Sequence, residues 1–349
     1  MAARRCVGAA ALSAGAVALD RANTFRKGIG VRSPRIVVLL LAEDTRFVPA
    51  RYLLACMVRV WREAGIPIEV VRGVEVAGGT DDAAVIIPHF DVTETPPAYR
   101  AVLAHLGPVL NVRLWTIAKS SHSTLLVRGT DTYAGPVIVK TDRNYGGLPE
   151  MHLRLVSASA PARLVSRAAA RMRRLLAQRV AWSRVEVLQP EEYPVYGSLR
   201  EIPPGVFDNP HLVVEKFLPE IDGADYCVRY AYCLGGREIA IRLRSRLKIV
   251  KASSAHGCDV LPAVPPEIGA IRRRIGMDYG KLDYVVRDGT VIPLDVNRTP
   301  SSAALERFGL TDLVARHLAG AAGAWPPDHR VSRAQQATER FTLADHDDG

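Results

Sequence analysis

At 349 residues and 48% hydrophobic side chains, the chain can build more than one packed core, which excludes an intrinsically disordered protein. Its 46 Lys+Arg against 36 Asp+Glu leave a formal charge of +10, which suits a polyanionic partner: nucleic acid, an anionic membrane or a nucleotide. No basic segment is interleaved with aromatics and neither a zinc spacing nor an RNA-binding signature occurs, so nucleic acid is set aside.

The chain opens on Arg4-Arg5 and the weakly apolar Cys6 to Leu19, which imitates a signal peptide. The stretch is mostly Ala and Gly rather than Leu, so residues 1–34 read as a disordered leader. A regular pattern begins at Arg35. An apolar strand over Ile36 to Ala42 precedes a helix over Ala50 to Ala64, with Leu53, Leu54, Met57, Val58 and Trp61 at helical spacing and a stop at Gly65-Ile66-Pro67. Strands over 68–71, 84–88 and 108–112 and a helix over 97–106 follow. Strands alternating with helices predict a parallel sheet, and no GxGxxG follows the first strand to indicate dinucleotide binding. His89-Phe90-Asp91 ends the third strand, where open α/β sheets bind ligands; His89 either touches a substrate or caps the structure.

After Asn111 the texture becomes β-rich, with strands expected over 125–127, 137–140, 212–217, 226–234, 238–243, 282–286 and 291–296. A basic helix over Ala160 to Ala181 carries Arg163, Arg167, Arg171, Arg173, Arg174 and Arg179, either as a solvated face or toward an anion. Beyond Pro326-Pro327 the chain reads as a disordered tail. The apolar runs are of strand length, short of the roughly 20 residues of a membrane helix. The five cysteines, Cys6, Cys56, Cys227, Cys233 and Cys258, are odd in number and form no CxxC, which fits a reducing cytoplasm.

Val137-Ile-Val-Lys140 followed by Asn144-Tyr-Gly146-Gly147 ends a β-branched strand in a lysine and then offers amides unobstructed by Cβ, which suits phosphate. A solvated edge charge and a hairpin turn account for the same residues. Lys281-Leu-Asp283 and Pro293-Leu-Asp295-Val-Asn297 read as strands joined by a turn at Asp288-Gly289. That pairing sets Asp283 close to Asp295, with Asn297 on the same face, a hard-oxygen cage of the kind Mg²⁺ takes beside nucleotide phosphates. Arg242, Arg244 and Arg246 alternate onto one strand face, either an anion-binding face or an exposed one. Arg298 and Ser301-Ser302 read as a loop or as contacts to a substrate carboxylate.

In this order, Lys119, the VIVK strand with its glycine turn, the VVEKFL segment, the acid in DGADYCVRY and the ending KLDYVV…PLDVNRTPSS resemble the ATP-grasp superfamily, as in D-alanine:D-alanine ligases, glutathione synthetases and ribosomal-protein glutamate ligases. The resemblance runs from about residue 111 to 318. It implies an α/β plus α+β chain: a Rossmann-like pre-ATP-grasp domain over 35–113, then a two-lobed ATP-grasp domain over 114–325 (lobes about 114–211 and 212–325), with a disordered tail over 326–349.

By the same resemblance Lys119 and Lys140 hold ATP phosphates under the turn of Asn144, Gly146 and Gly147. The linker residues Glu215, Lys216 and Leu218 meet adenine, Glu215 and Leu218 chiefly by main chain, and Asp225 accepts from the ribose. Asp283, Asp295 and Asn297 bind Mg²⁺, or Mn²⁺ in its place. Asp295 stands where relatives usually carry the longer Glu, so the ion count is one or two. Lys281 takes the place of a cation that relatives use near the transferring phosphate; Arg246, from its strand face, and Arg298, from its place past the metal residues, are added as candidates for the acyl phosphate or the substrate. The implied activity activates a carboxylate as an acyl phosphate that an amine then displaces, on small molecules or a peptide acceptor, with no nucleic acid or membrane partner; a homodimer is compatible with it. An ATP-grasp kinase and a nucleotide-binding protein without turnover are the alternatives.

Overall fold

The structure is a computed structural model that describes residues 35–74, 85–157 and 181–321. The expected leader over 1–34, the basic stretch over 160–180 and the tail over 326–349 lie outside the described residues. Strand β1 (Ile36–Leu40) leads through helix α1 (Leu53–Glu63) to β2 (Ile68–Arg72), and β3 (Val85–His89) precedes helix α2 (Pro97–Leu103). The strands form a parallel sheet ordered β2-β1-β3, with Ile36 opposite Ile68 on one side and Val85 on the other. Every residue of β1 is buried, as befits a central parallel strand covered on both faces. Ile36, Val38 and Leu40 face Leu53, Met57 and Trp61 of α1, while Val37 and Leu39 join Phe90, Tyr99 and Leu103.

Helix α3 (Lys119–His122), β4 (Val137–Thr141), a tight turn (Asn144–Gly147) and helix α4 (Leu148–Ser157) come next. Strands β5 (Val195–Tyr196) and β6 (Leu212–Lys216) flank β4 in an antiparallel sheet. The chain then builds β7 (Glu220–Asp222), β8 (Asp225–Leu234), β9 (Arg237–Ser245), β10 (Gly257–Val260), helix α5 (Pro266–Ile275), β11 (Tyr279–Arg287) and β12 (Thr290–Asn297). These make an antiparallel six-stranded sheet along β10-β9-β8-β11-β12, with β7 beside β8. Helices α6 (Ala303–Arg307) and α7 (Thr311–Ala319) close the described chain. The whole is a mixed α/β structure with several sheets.

The large sheet is covered on both faces. Tyr232, Leu234, Ile239 and Ile241 pack on Leu305, Val314 and Leu318 of α6 and α7, and Ala231, Cys233, Leu282 and Tyr284 pack on Ile268 of α5. Helix α7 also rests on α1, where the Trp61 indole donates to the Ala319 carbonyl at 2.8 Å.

Three expectations are corrected. The strand expected over 108–112 is an isolated bridge of Val109 to Ile86, because Pro108 has no N–H and Asn111 turns left-handed at φ 56° to cap the start of β11 with its side chain. Residues 125–127 likewise form only a bridge, Leu126 to Glu215. Strand 212–216, expected to open the second lobe, pairs with β4 instead, Ile138 opposite Glu215. Helices α4 to α7 had no expectation, because each is ten residues or shorter and so presents too few turns for a helical period to stand out.

Replacing Trp61 with Phe should lower the unfolding free energy by about 2 kcal/mol, from a lost hydrogen bond and a cavity. A urea titration followed by circular dichroism measures it; an unchanged midpoint would show that α7 does not depend on this contact.

Candidate active site

The β11–β12 hairpin sets the centre of the site. Asp288 and Gly289 both have positive φ, 50° and 75°, the backbone that a two-residue hairpin turn needs. The register that follows puts Asp283 opposite Asp295 and Lys281 opposite Asn297. A bulge after Asp283 accommodates Leu294 without moving the acids off that face. Across β8, Asp283 lies opposite Tyr230 and Lys281 opposite Tyr232, so acids, amide, lysine and phenols share one face.

Like charges facing each other on a hairpin repel, and the structure answers with lysines. Lys281 Nζ is 2.7 Å from Asp283 Oδ1 and 3.7 Å from the centre of the Tyr230 ring. Lys119, almost wholly buried, reaches from α3 to within 3.7 Å of Asp295 Oδ1 and donates to the Arg143 carbonyl at 3.0 Å. Lys140, at the end of β4, is paired at 2.5 Å with Glu215 of β6, whose side chain is fully buried. Lys251, in the loop after β9, completes the group: the charges acting on Asp295 are those of Lys119, Lys140, Lys251 and Lys281.

The proton affinities follow from this packing. Burial pushes Asp283 up, and Asp295 adds to the rise while Lys281 opposes it. Burial also raises Asp295, but the four lysines outweigh it and hold that carboxyl low. Burial lowers the proton affinity of Lys119, but Asp295, Tyr193, Glu215 and Asp142 together outweigh it and hold the ammonium above its ordinary range. Lys251 is held low by burial, with Lys281 and Lys140 adding to the effect against the pull of Asp283 and Asp295. Two carboxylates of divided affinity beneath a ring of ammonium groups can hold a polyanion together with a divalent cation.

Other expected residues sit elsewhere or serve otherwise. Glu215 acts through its side chain, gripping Lys140, and not only through its main chain. The Lys216 N–H donates to the Leu125 carbonyl and its ammonium lies over the Tyr133 ring, while Leu218 lies in the short connection between β6 and β7. Asn144 points its amide at Asp91, and its own N–H meets Thr93 Oγ1. A Cβ on Gly146 would stand 2.1 Å from the Leu188 carbonyl oxygen, so that glycine is required by the chain packed against the turn. A Cβ on Gly147 would meet Glu186 O at 3.0 Å.

The arginines are corrections. Arg242 lies opposite Arg229 and Asp259 on the sheet face turned away from Asp283, and it pairs with Asp222 and Asp259; Arg244 also pairs with Asp259. Arg246 and Asp225 pair with each other at 3.1 Å, and His256 joins Asp225 at 3.0 Å. Arg298 is buried, and its guanidinium donates to the carbonyls of Phe90, Val92, Thr93, Leu114 and Trp115 and to Thr95 Oγ1, leaving nothing for a substrate carboxylate. Ser302 is likewise buried against Pro49 O. Sequence reasoning missed Lys251 and Tyr230; the loop lysine carried no pattern, and Tyr230 became visible only through the register with Asp283.

No family model matches the chain, and no curated protein matches it. Among solved structures it is similar to a D-alanine--D-alanine ligase from Bacillus anthracis (12% identity, 84% of this chain and 98% of that one, TM-score 0.43). It is also similar to the D-cycloserine synthetase DcsG (16%, 82% and 99%, TM-score 0.40) and to a RimK domain ATP-grasp protein from Sphaerobacter thermophilus (14%, 81% and 99%, TM-score 0.37). These neighbours include ATP-grasp proteins, the superfamily that the motifs resemble. The chemistry of the site rests on its own residues.

His89 supplies a test by pH. Its imidazole is buried between Phe47 and Tyr52 with both nitrogens unpartnered, and burial, then Arg46 and Arg298, push its pKa down to about 3. It therefore folds as a neutral ring and reaches no substrate. A depressed pKa means that the unfolded chain takes up the proton first, so stability is full above about 6.5 and falls toward about 3, by about 1.4 kcal/mol per pH unit. His89→Phe should flatten that part of the pH–stability curve, read by chemical denaturation at each pH; an unchanged slope would mean that the ring is protonated in the fold.

Proposed function

We propose that this chain is an ATP- and Mg²⁺-dependent ligase that activates a carboxylate as an acyl phosphate and joins it to an amine. The observation that carries the reading is the convergence of Lys119, Lys140, Lys251 and Lys281, from separate stretches of chain, on the facing pair Asp283 and Asp295. Four ammonium groups around two acids exceed what a structural ion pair needs, and the surplus suits a triphosphate.

Among the described residues no group of three or more His, Cys, Asp or Glu could hold a metal, so the donor set is two carboxylates and the Asn297 amide oxygen. That set fits a hard cation that keeps water and phosphate oxygens as its other ligands. Asn297 Oδ1 accepts from the Thr299 N–H at 2.7 Å and, in a long contact of 3.4 Å, from the Thr299 hydroxyl, a weak second donor that a cation would displace. Bound there, Mg²⁺ supplies charge neutralisation at the phosphate oxygens. Lys119 and Lys140 hold the phosphates, Glu215 keeps Lys140 aimed, and Lys281 and Lys251 stand at the transferring end. With this support we read 35–113 as a Rossmann-like pre-ATP-grasp domain and 114–321 as two lobes facing across the site, the boundary falling after Lys216 because β6 belongs to the β4 sheet. No described helix is long and apolar enough to cross a membrane, and an enzyme consuming ATP belongs in the cytoplasm.

Purified protein incubated with MgATP and pooled carboxylates and amines should release both ADP and phosphate. Release of ADP without phosphate would identify a kinase, and tight ATP binding without turnover a binding protein. Asp295→Ala should abolish turnover with the fold intact, and activity surviving within a few fold would overturn the assignment. Lys140→Ala should weaken ATP binding by about 1.5–3 kcal/mol, the worth of a charged hydrogen bond.

A further inference from the structure

Asp91, just past β3, is remote from the lysine cluster in sequence yet bonded to two of its supports. Its Oδ2 accepts from the Tyr52 hydroxyl at 2.6 Å and from Arg46 Nη2 at 3.3 Å. Its Oδ1 accepts from Asn144 Nδ2 at 2.9 Å and from the Thr299 hydroxyl at 3.1 Å. Four donors fill the acceptor capacity of a carboxylate, so Asp91 has no lone pair left for a substrate. What it does instead follows from who the donors are. Asn144 opens the glycine turn, and Thr299 holds the oxygen of Asn297 through its backbone N–H at 2.7 Å, while its one hydroxyl proton goes to Asp91 at 3.1 Å in preference to Asn297 Oδ1 at 3.4 Å.

Lys119 also spans the two arms, from the Arg143 carbonyl at 3.0 Å to Asp295 at 3.7 Å, but by a flexible side chain rather than by one carboxylate. Through Oδ1 a single atom joins the turn beside Lys140 to the amide beside Asp295, across sequence separations of 53 and 208 residues. The anchoring is reinforced at Thr93, whose Oγ1 accepts from the Asn144 N–H at 2.7 Å. Charge-assisted bonds of this kind are short and directional, suited to fixing a distance.

We infer that Asp91 is a positioning residue that sets the glycine turn and the metal-binding amide of Asn297 relative to one another. The inference rests on the reading of the site as one for MgATP. It makes the parallel sheet part of the machinery: a change at the end of β3 reaches the phosphates and the metal through different arms.

The test separates the arms by Mn²⁺ and ADP titration, with Mn²⁺ followed by electron paramagnetic resonance. Thr299→Val removes one hydroxyl and should weaken Mn²⁺ binding in the presence of ADP by about tenfold, leaving ADP without metal unchanged. Asp91→Asn, which sets an amide N–H against donors, should weaken both. Tyr52→Phe removes a donor on the side away from the site and should lower the thermal midpoint with neither affinity changed. Unaltered Mn²⁺ binding in Thr299→Val, or an equal loss in Tyr52→Phe, overturns the inference even if Asp91→Asn fails to fold. Wild-type protein that binds no ADP would instead remove the MgATP reading, and the inference with it.

Discussion

The structure turns on a repulsion: Asp283 and Asp295 face each other across a hairpin, one buried and one partly so, where two like charges are unfavourable. A hairpin alone gives no reason to keep them. What keeps them is positive charge delivered from outside the hairpin, by a one-turn helix (Lys119), the end of a strand in another sheet (Lys140) and a loop (Lys251), with Lys281 as the only local contribution. Each delivery needs its own scaffold: the one-turn helix for Lys119, the β4 sheet for Lys140, and the large sheet and its loop for Lys281 and Lys251. The asymmetry of proton affinity is a direct result, since Asp295 collects most of the lysines and Asp283 most of the burial.

The glycine turn shows how a familiar pattern can serve two ends. Positive φ at Tyr145, Gly146 and Gly147 bends the chain sharply. A side chain on Gly146 would collide with Leu188, whose N–H donates to the Gly146 carbonyl. The bend is therefore held from beneath by the 186–190 segment and from the side by Asp91 and Thr93. A turn secured on two sides can present its outer edge to an anion without loss of order.

The hairpin was legible because period-two alternation and an Asp-Gly turn fix register locally. The VIVK strand and its lysine were legible for another reason, a run of β-branched residues that ends in a charge. The arginine face was half legible: alternation correctly placed Arg242 and Arg244 together, but which side of the sheet they occupy depends on pairing with β8, and β8 puts them with Arg229, away from the acids. The ion pair of Glu215 with Lys140 was not legible because it crosses from β6 to β4, a pairing of distant segments. Residues 108–112 failed as a strand because one backbone conformation, that of Asn111, decided the matter, and it serves a contact with residues 278 and 279.

Arg298 explains why the N-terminal sheet and the acid hairpin are hard to separate. It directly follows Asn297, and the sequence offers it as a substrate-binding cation. Buried, with its pKa lowered by burial to about 10, it would be costly were its N–H groups not matched by carbonyls of 90–93 and 114–115 and by Thr95. A guanidinium so surrounded cannot turn without leaving several donors and acceptors bare. The residue beside the proposed metal amide is thus pinned to the chain following β3. Leu53 N–H on Pro300 O and Ser302 N–H on Arg51 O extend the same seam to α1. Rigid-body movement of the parallel sheet against the hairpin would break this seam first, so any opening of the site for substrate has to occur elsewhere. Among the described residues the β4 sheet shares no strand ladder with the hairpin; its glycine turn is tied in through Asn144 to Asp91 and Thr93, and Lys119 carries the link on to Asp295.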